Sequence, residues 1–394
     1  MTLFRAALVL GLLSAVGPFA IDMYLPALPA IAESLGAEIS AVQWTLTAYF
    51  IAFGLSQLFY GPWADQVGRK TPLYVGLVIF IAGSIGCALA PNIATLIAFR
   101  ALQGVGGAVL MVVPRAIIRD LHTGTQATRL MAMVMLVISV SPMLAPLAGA
   151  GLITLGDWRL IFWVLCGAAA LSLLITSQAL PETLAAQDRI PVNLRSLIAG
   201  CKVLIRDPIF MGLTFIGGFG FASFMVFIAS ASFVYTDQFG LTPTGFSIAF
   251  AINAIGFFGA SQAAGPLGER LGILPVMRWA VIGFASATMI LLSVTLAGGG
   301  SLVVIVAGLF CANACLGLII PTTMVMALDG HGRIAGLASS LGGTFQMLAG
   351  GLMVAATGPF FDGTATPMVA AIALCAVLAL CLALVTFRRM AAAG

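Results

Sequence analysis

The chain has 394 residues, of which 61% are hydrophobic and only 8% charged, and it carries a formal net charge of +4. An ordinary soluble domain has about 25% charged residues, so this chain cannot cover itself with polar surface and a lipid bilayer must be its solvent. Its Lys and Arg residues are dispersed in short loops and form no continuous basic face, which argues against a nucleic-acid partner and for topology charge.

The first apolar run begins after Arg5. Ala30-Ile31-Ala32 looks like a small-residue cleavage site, but a signal h-region covers about 7 to 15 residues. This run continues past Leu25 before it meets Glu33, long enough to span. At about 20 residues per span, spans are predicted near 5–31, 42–61, 72–90, 94–118, 127–153 and 158–180. Pro181 to Pro208 then gathers Glu182, Asp188, Arg189, Arg195, Lys202, Arg206 and Asp207, the densest charge in the chain. Six more spans are predicted near 209–236, 244–264, 274–296, 301–327, 333–357 and 366–387. The expected organisation is a six-helix half over 1–180, a central cytoplasmic linker over 181–208, and a second six-helix half over 209–394.

With the N-terminus placed inside the cell, fifteen of the seventeen Lys and Arg residues fall in or beside inner segments. Only Arg159 lies outside, and Arg100 is within a span. Twelve spans with both termini cytoplasmic therefore satisfy the positive-inside rule.

A charged stretch after the second span, Gly61-Pro62-Trp63-Ala64-Asp65-Gln66-Val67-Gly68-Arg69-Lys70, reads as a hinge in which Gly61 and Gly68 permit a tight inner turn. Its skeleton recurs about 204 residues later as Gly265-Pro266-Leu267-Gly268-Glu269-Arg270-Leu271-Gly272, which implies a duplicated unit. The 45 glycines let helices approach closely, and Pro18, Pro26, Pro114, Pro142, Pro146 and Pro321 interrupt the spans, as suits a protein that changes shape.

Two ionisable side chains lie deep in the predicted spans, Asp22 in the first and Arg100 in the fourth. Each is expensive in hydrocarbon and needs a partner or a cavity. Asp22 lies about 25 Å from Arg5 along a helix and Arg100 about 12 Å from Asn92, which puts both in the outer half, within reach of one another. Two readings follow, a fixed ion pair or a titratable acid in a transport cavity. Pro26, four positions after Asp22, weakens the helix beside the acid.

No P-loop, dinucleotide fingerprint or H-E-x-x-H motif is present, so no enzyme, cofactor or ATP drive is expected. The seven cysteines show no zinc-like pairing with His122 and His331, and no metal site is expected.

The Gly61–Lys70 stretch resembles the signature loop of the major facilitator superfamily. Arg100-Ala101-Leu102-Gln103-Gly104 is similar to that family's span-4 motif, and Ile21-Asp22-Met23-Tyr24-Leu25-Pro26 to the first span of its twelve-span drug:proton antiporters. Together with Ser141-Pro142-Met143-Leu144-Ala145-Pro146-Leu147-Ala148-Gly149, these residues resemble the Bcr/CflA-type drug efflux branch. Ala145 and Ala150 depart from the family's usual glycines, and Ser14 stands where some relatives carry a second acid.

The resemblance implies an all-helical fold of two six-helix pseudo-repeats that exports small amphipathic drugs, phenicol or bicyclomycin-like, in exchange for protons across a bacterial inner membrane. It implies that Asp22 and Arg100 couple the proton, and that Gly61, Asp65, Gly68, Arg69 and Asp120 form a conformational latch. In that latch Asp65 meets the start of span 11 near Arg333 and Arg69 meets Asp120. Pro142, Pro146 and Gly149 would mark the antiporter-motif helix. Phe219, Phe224 and Phe227 in span 7 are candidate aromatic walls of a drug cavity. The partners expected are a drug, protons and lipid, with the protein a monomer. The alternatives are a metabolite symporter or facilitator of the same fold, and a non-transporting membrane sensor or membrane enzyme.

Overall fold

No water satisfies a bare N–H or C=O inside a bilayer, so an apolar run survives there only as a structure that closes its own hydrogen bonds. The computed structural model describes residues 3–122, 124–189, 194–331 and 334–393, and among the described residues every apolar run is helical and no strand occurs. In the first part of the chain the helices are α1 (Leu3–Asp22), α2 (Leu28–Leu35), α3 (Ile39–Val67), α4 (Lys70–Ala88), α5 (Ile93–Leu121), α6 (Gly124–Leu155) and α7 (Arg159–Ala179). They are followed by α8 (Leu194–Arg206), α9 (Pro208–Phe233), α10 (Pro243–Leu271), α11 (Ile273–Leu296), α12 (Leu302–Asp329), α13 (Ala335–Thr357) and α14 (Ala365–Ala393). Among the described residues twelve segments are long and apolar enough to cross a membrane, the first of them, Arg5–Leu35, being α1 and α2 joined through a 3₁₀ turn at Leu25–Ala27. Several helices begin on capping side chains: Asn92 accepts from Thr95 N, Asp207 from Ile209 N and Phe210 N, and Thr242 from Gly245 N.

The helices form two compact units, Met1–Asn193 and Leu194–Gly394. In the first, α5 packs on α3 and α4, α1 on α6, and α4 on α7. In the second, α12 packs on α10 and α11, α9 on α13, and α11 on α14. The packing partners correspond one for one, as two copies of one ancestral unit require. Leu155, Val303, Phe59 and Trp279 are 81, 76, 71 and 71% exposed, a surface that lipid tails cover without penalty.

One expectation needs correction. The second span does not end at residue 61, because α3 continues through Gly61 and Pro62 to Val67. Gly61 is therefore a helical residue, and a Cβ there would meet Val112 at an ordinary 3.8 Å. The turn is confined to Gly68, whose φ of +100° only glycine adopts readily, and the repeat behaves alike, with Pro266 inside α10 and the turn at Gly272, φ +85°. The charged stretch between the halves holds α8, which packs on α9 and α13. Arg333, expected opposite Asp65, lies outside the described residues, and the basic partner that Asp65 shows is Arg69.

Candidate functional site

The first span is broken immediately after its acid. Pro26 cannot donate to the carbonyl of Asp22, α1 ends at Asp22, and the chain passes through Met23 and Tyr24 into the 3₁₀ turn before α2 resumes. The break is held from two sides. On α6, Pro142 and Pro146 lie inside the helix and are buried, and a Cβ on Gly149 would collide with the carbonyl oxygen of Met23. On α5, Arg100 Nη1 donates to the carbonyl oxygen of Ala20 at 3.1 Å, a group that the interrupted helix leaves short of its usual donor.

Arg100 is fully buried and is not paired with Asp22 in this structure, so of the two readings left open by the sequence the fixed ion pair is not the arrangement seen here. Its Nη1 also donates to Gln103 Oε1, Gln103 Nε2 donates to Ser84 Oγ at 2.8 Å, and Ser84 donates on to the carbonyl of Phe80 at 2.8 Å. The guanidinium lies 4.4 Å from the ring centre of Tyr49 and 4.6 Å from that of Tyr24. Two desolvated cation–π contacts of this kind are each worth about 2 kcal/mol, which explains why the cation is stable without a carboxylate. Its Nε and Nη2 have no hydrogen-bond partner among the described residues.

Asp22 is 5% exposed, and among the described residues it has neither a hydrogen bond nor an ion pair. The Tyr49 hydroxyl is buried and has no hydrogen-bond partner among the described residues. A buried carboxyl with no resident partner can take up and release a proton with little rearrangement of its neighbours, which is the property a coupling acid needs. Tyr24 is fixed by a 2.8 Å hydrogen bond between its hydroxyl and that of Thr45. Sequence reasoning missed both tyrosines, although Tyr24 follows the acid by two positions and Tyr49 is an aromatic residue in an adjacent span.

Three of the residues expected to form a latch, Asp65, Arg69 and Asp120, come together beside the turn between α3 and α4. Arg69 Nη1 donates to Asp65, its Nε donates to Asp120 Oδ2 at 2.7 Å and its Nη2 to Asp120 Oδ1 at 3.3 Å. Burial opposes the charge on Arg69, and the two carboxylates outweigh it and hold its proton more tightly. Thr183 Oγ1 donates to Asp120 at 2.9 Å, and Glu182 accepts from the backbone N–H groups of Arg69 at 2.9 Å and Lys70 at 3.1 Å. A Cβ on Gly68 would lie 2.6 Å from Glu182 Oε2, so this glycine serves both the turn and the docking of Glu182. Glu182, in the sequence one charge among several between the halves, is thus a docking group for this turn.

The aromatic residues of α9 divide. Phe227 is 1% exposed and stacked on Phe250 at 5.5 Å with an interplanar angle of 4°, so it packs helices together and does not line an open cavity. Phe224 stacks on Phe257 at 5.3 Å, and Phe219 rests on Phe215 at 6.3 Å, both rings partly exposed. No cluster of potential metal ligands occurs among the described residues.

Residues 10–354 match the Major Facilitator Superfamily. The chain is 35% identical over 364 residues to the MFS-type transporter YdgK of Bacillus subtilis, covering 92% of this chain and 90% of the relative. It is 28% identical over 377 residues to a bicyclomycin resistance protein homolog of Haemophilus influenzae, covering 95% and 94%. The solved structure of a D-xylose–proton symporter superimposes with a TM-score of 0.77 at 16% identity, covering 97% of each chain.

Proposed function

The chain belongs to the major facilitator superfamily, and from that premise we propose that it is a multidrug efflux transporter that exchanges drugs for protons across a bacterial inner membrane. It works as a transporter, as a monomer, with no enzyme chemistry, cofactor or nucleic acid. Its substrates are small amphipathic drugs of the phenicol or bicyclomycin-like kind, a reading supported by the bicyclomycin resistance in the name of the Haemophilus relative.

The observation that carries the proposal is Asp22, a buried carboxyl without a partner, at a break that α5 and α6 brace through Arg100 and Gly149. In this mechanism a proton from outside neutralises Asp22, weakens its hold on a cationic drug group and lets the empty carrier turn inward, where drug binding favours release of the proton. Drug and proton stabilise different states of one site, so each lowers the apparent affinity of the other. Asp65, Arg69 and Asp120 act as the latch that holds one of those states, and Pro181 to Pro208 faces the cytoplasm with both termini, as the distribution of basic residues supports.

The test is drug-induced proton release from purified protein. Wild type releases protons on addition of drug, and Asp22→Asn, obtained in normal yield, does not. Unchanged release from Asp22→Asn would eliminate the acid as carrier.

A further inference from the structure

The second unit carries a cavity lined by two arginines and a set of apolar side chains. A cavity of about 350 Å³ opens between the start of α11 and the end of α14. Its polar wall consists of Arg278 and Arg388, and its apolar wall includes Val281, Ala383 and Leu384. Arg278 rests its guanidinium 5.5 Å from the ring centre of Phe387, which lines the same cavity and fixes the position of the cation. Among the described residues neither arginine has a carboxylate within ion-pair distance. Arg278 and Arg388 are both exposed, and so is Leu384 at 55%, which places the cavity on the lipid-facing side of the unit.

Two unneutralised arginines at the ends of spans, above a slot of aliphatic side chains, match one chemical class well. We propose that this cavity binds an anionic phospholipid, with the phosphodiester on Arg278 and Arg388 and the first part of an acyl chain against Val281, Ala383 and Leu384. Basic pockets between spans at headgroup level bind such lipids by this combination of charge and apolar contact, and an arginine fork fits a phosphate oxygen pair better than a point charge does. The apolar wall distinguishes this occupant from a free phosphate ion, which would gain nothing from it.

Native mass spectrometry of the full chain in detergent tests the proposal, using an equal mixture of phosphatidylglycerol and phosphatidylcholine with the same acyl chains. Wild type retains phosphatidylglycerol in preference. Arg278→Gln and Arg388→Gln each reduce that retention about fivefold, and the double variant shows no preference. Lysine at both positions restores most of the preference, which separates loss of charge from loss of fold. Ala383→Phe, which fills the slot and keeps both arginines, also lowers retention, and inorganic phosphate does not displace the lipid. Equal retention of the two lipids by wild type, undiminished retention by the folded double variant, or displacement by phosphate would each overturn it.

Discussion

Arg100 Nη1 is hydrogen-bonded to the carbonyl oxygen of Ala20 at 3.1 Å, and Asp22, two residues further along the same helix, has no ion pair among the described residues. The arginine therefore supports the broken end of α1, while the acid beside it remains available. The two positions should respond differently to substitution. Arg100→Lys removes the planar group that faces Tyr24 and Tyr49 and cannot serve Ala20 and Gln103 in the same fork. Its expected cost is about 1–3 kcal/mol, from disturbed hydrogen bonds to Ala20 and Gln103, since a lysine ammonium keeps part of the cation–π attraction, and it is read as a lower midpoint of thermal unfolding in detergent. Asp22→Asn should unfold close to wild type. A larger loss for Asp22→Asn than for Arg100→Lys would mean that the acid is the structural member of the two.

Gly149 is the second brace. Any side chain there meets the carbonyl oxygen of Met23, and backbone cannot move aside as the end of a flexible side chain can. Gly149→Ala should therefore cost about 1–3 kcal/mol through overpacking. Gly151, in the same helix with nothing within 4 Å of its Cβ position, is the control: Gly151→Ala should be neutral or stabilising by up to about 1 kcal/mol. Equal effects at the two positions would remove the argument for close approach at the break.

The spans were legible in the sequence because their signal, about 20 apolar residues in a row, is local. The duplication was legible because Gly61–Gly68 and Gly265–Gly272 share a skeleton, and the structure repeats its helix packing accordingly. What escaped depended on side-chain direction. Spacing put Asp22 and Arg100 at similar depth but did not reveal that the guanidinium turns to Ala20 and two aromatic rings. Helix continuation through Gly61 and Pro62 escaped for a related reason: both residues argue for a turn by local propensity, and packing of α3 on α5 overrides it. Glu182 escaped because its partners, the backbone N–H groups of Arg69 and Lys70, are more than a hundred positions away.

Arg69 separates its two carboxylates by exposure, with Asp65 at 51% and Asp120 at 16%. The exposed pair is screened and worth under about 1 kcal/mol. Asp120 accepts two of the arginine's donors and the Thr183 hydroxyl besides, so Asp120→Asn should cost about 1–3 kcal/mol of stability. Asp65→Asn should leave stability and drug affinity near wild type while slowing transport, if Asp65 acts in the alternation of states. Loss of drug affinity in well-folded Asp65→Asn protein would assign it another role.

Orientation is checked by labelling. Single cysteines at Lys202 on α8 and at Asp237 beyond α9, in a background without the seven native cysteines, should react with an impermeant reagent from opposite sides of the membrane. Labelling of both from the outside would reverse the reading of Pro181 to Pro208 as cytoplasmic.

Glu182 supplies the pH dependence that can be worked out from the structure, since it lies outside the spans. Partial burial pushes its carboxyl up, and hydrogen bonds from the backbone N–H groups of Arg69, Leu184, Lys70 and Thr183 outweigh this and hold it below its ordinary value of 4.5. A carboxyl depressed on folding binds fewer protons in the folded chain than in the unfolded one. It therefore contributes stability that is fully present above the unfolded value and is lost as the pH falls through the folded one. Glu182→Gln removes the charge that these N–H groups solvate, so its unfolding midpoint in detergent should lie below that of wild type by a constant amount from about pH 8 to about pH 6. The gap should close as the pH drops below 4.5, where wild type protonates Glu182 and comes to resemble the variant. A gap that persists undiminished in acid would show that the carboxylate charge is not what ties the segment after α7 to the turn at Gly68.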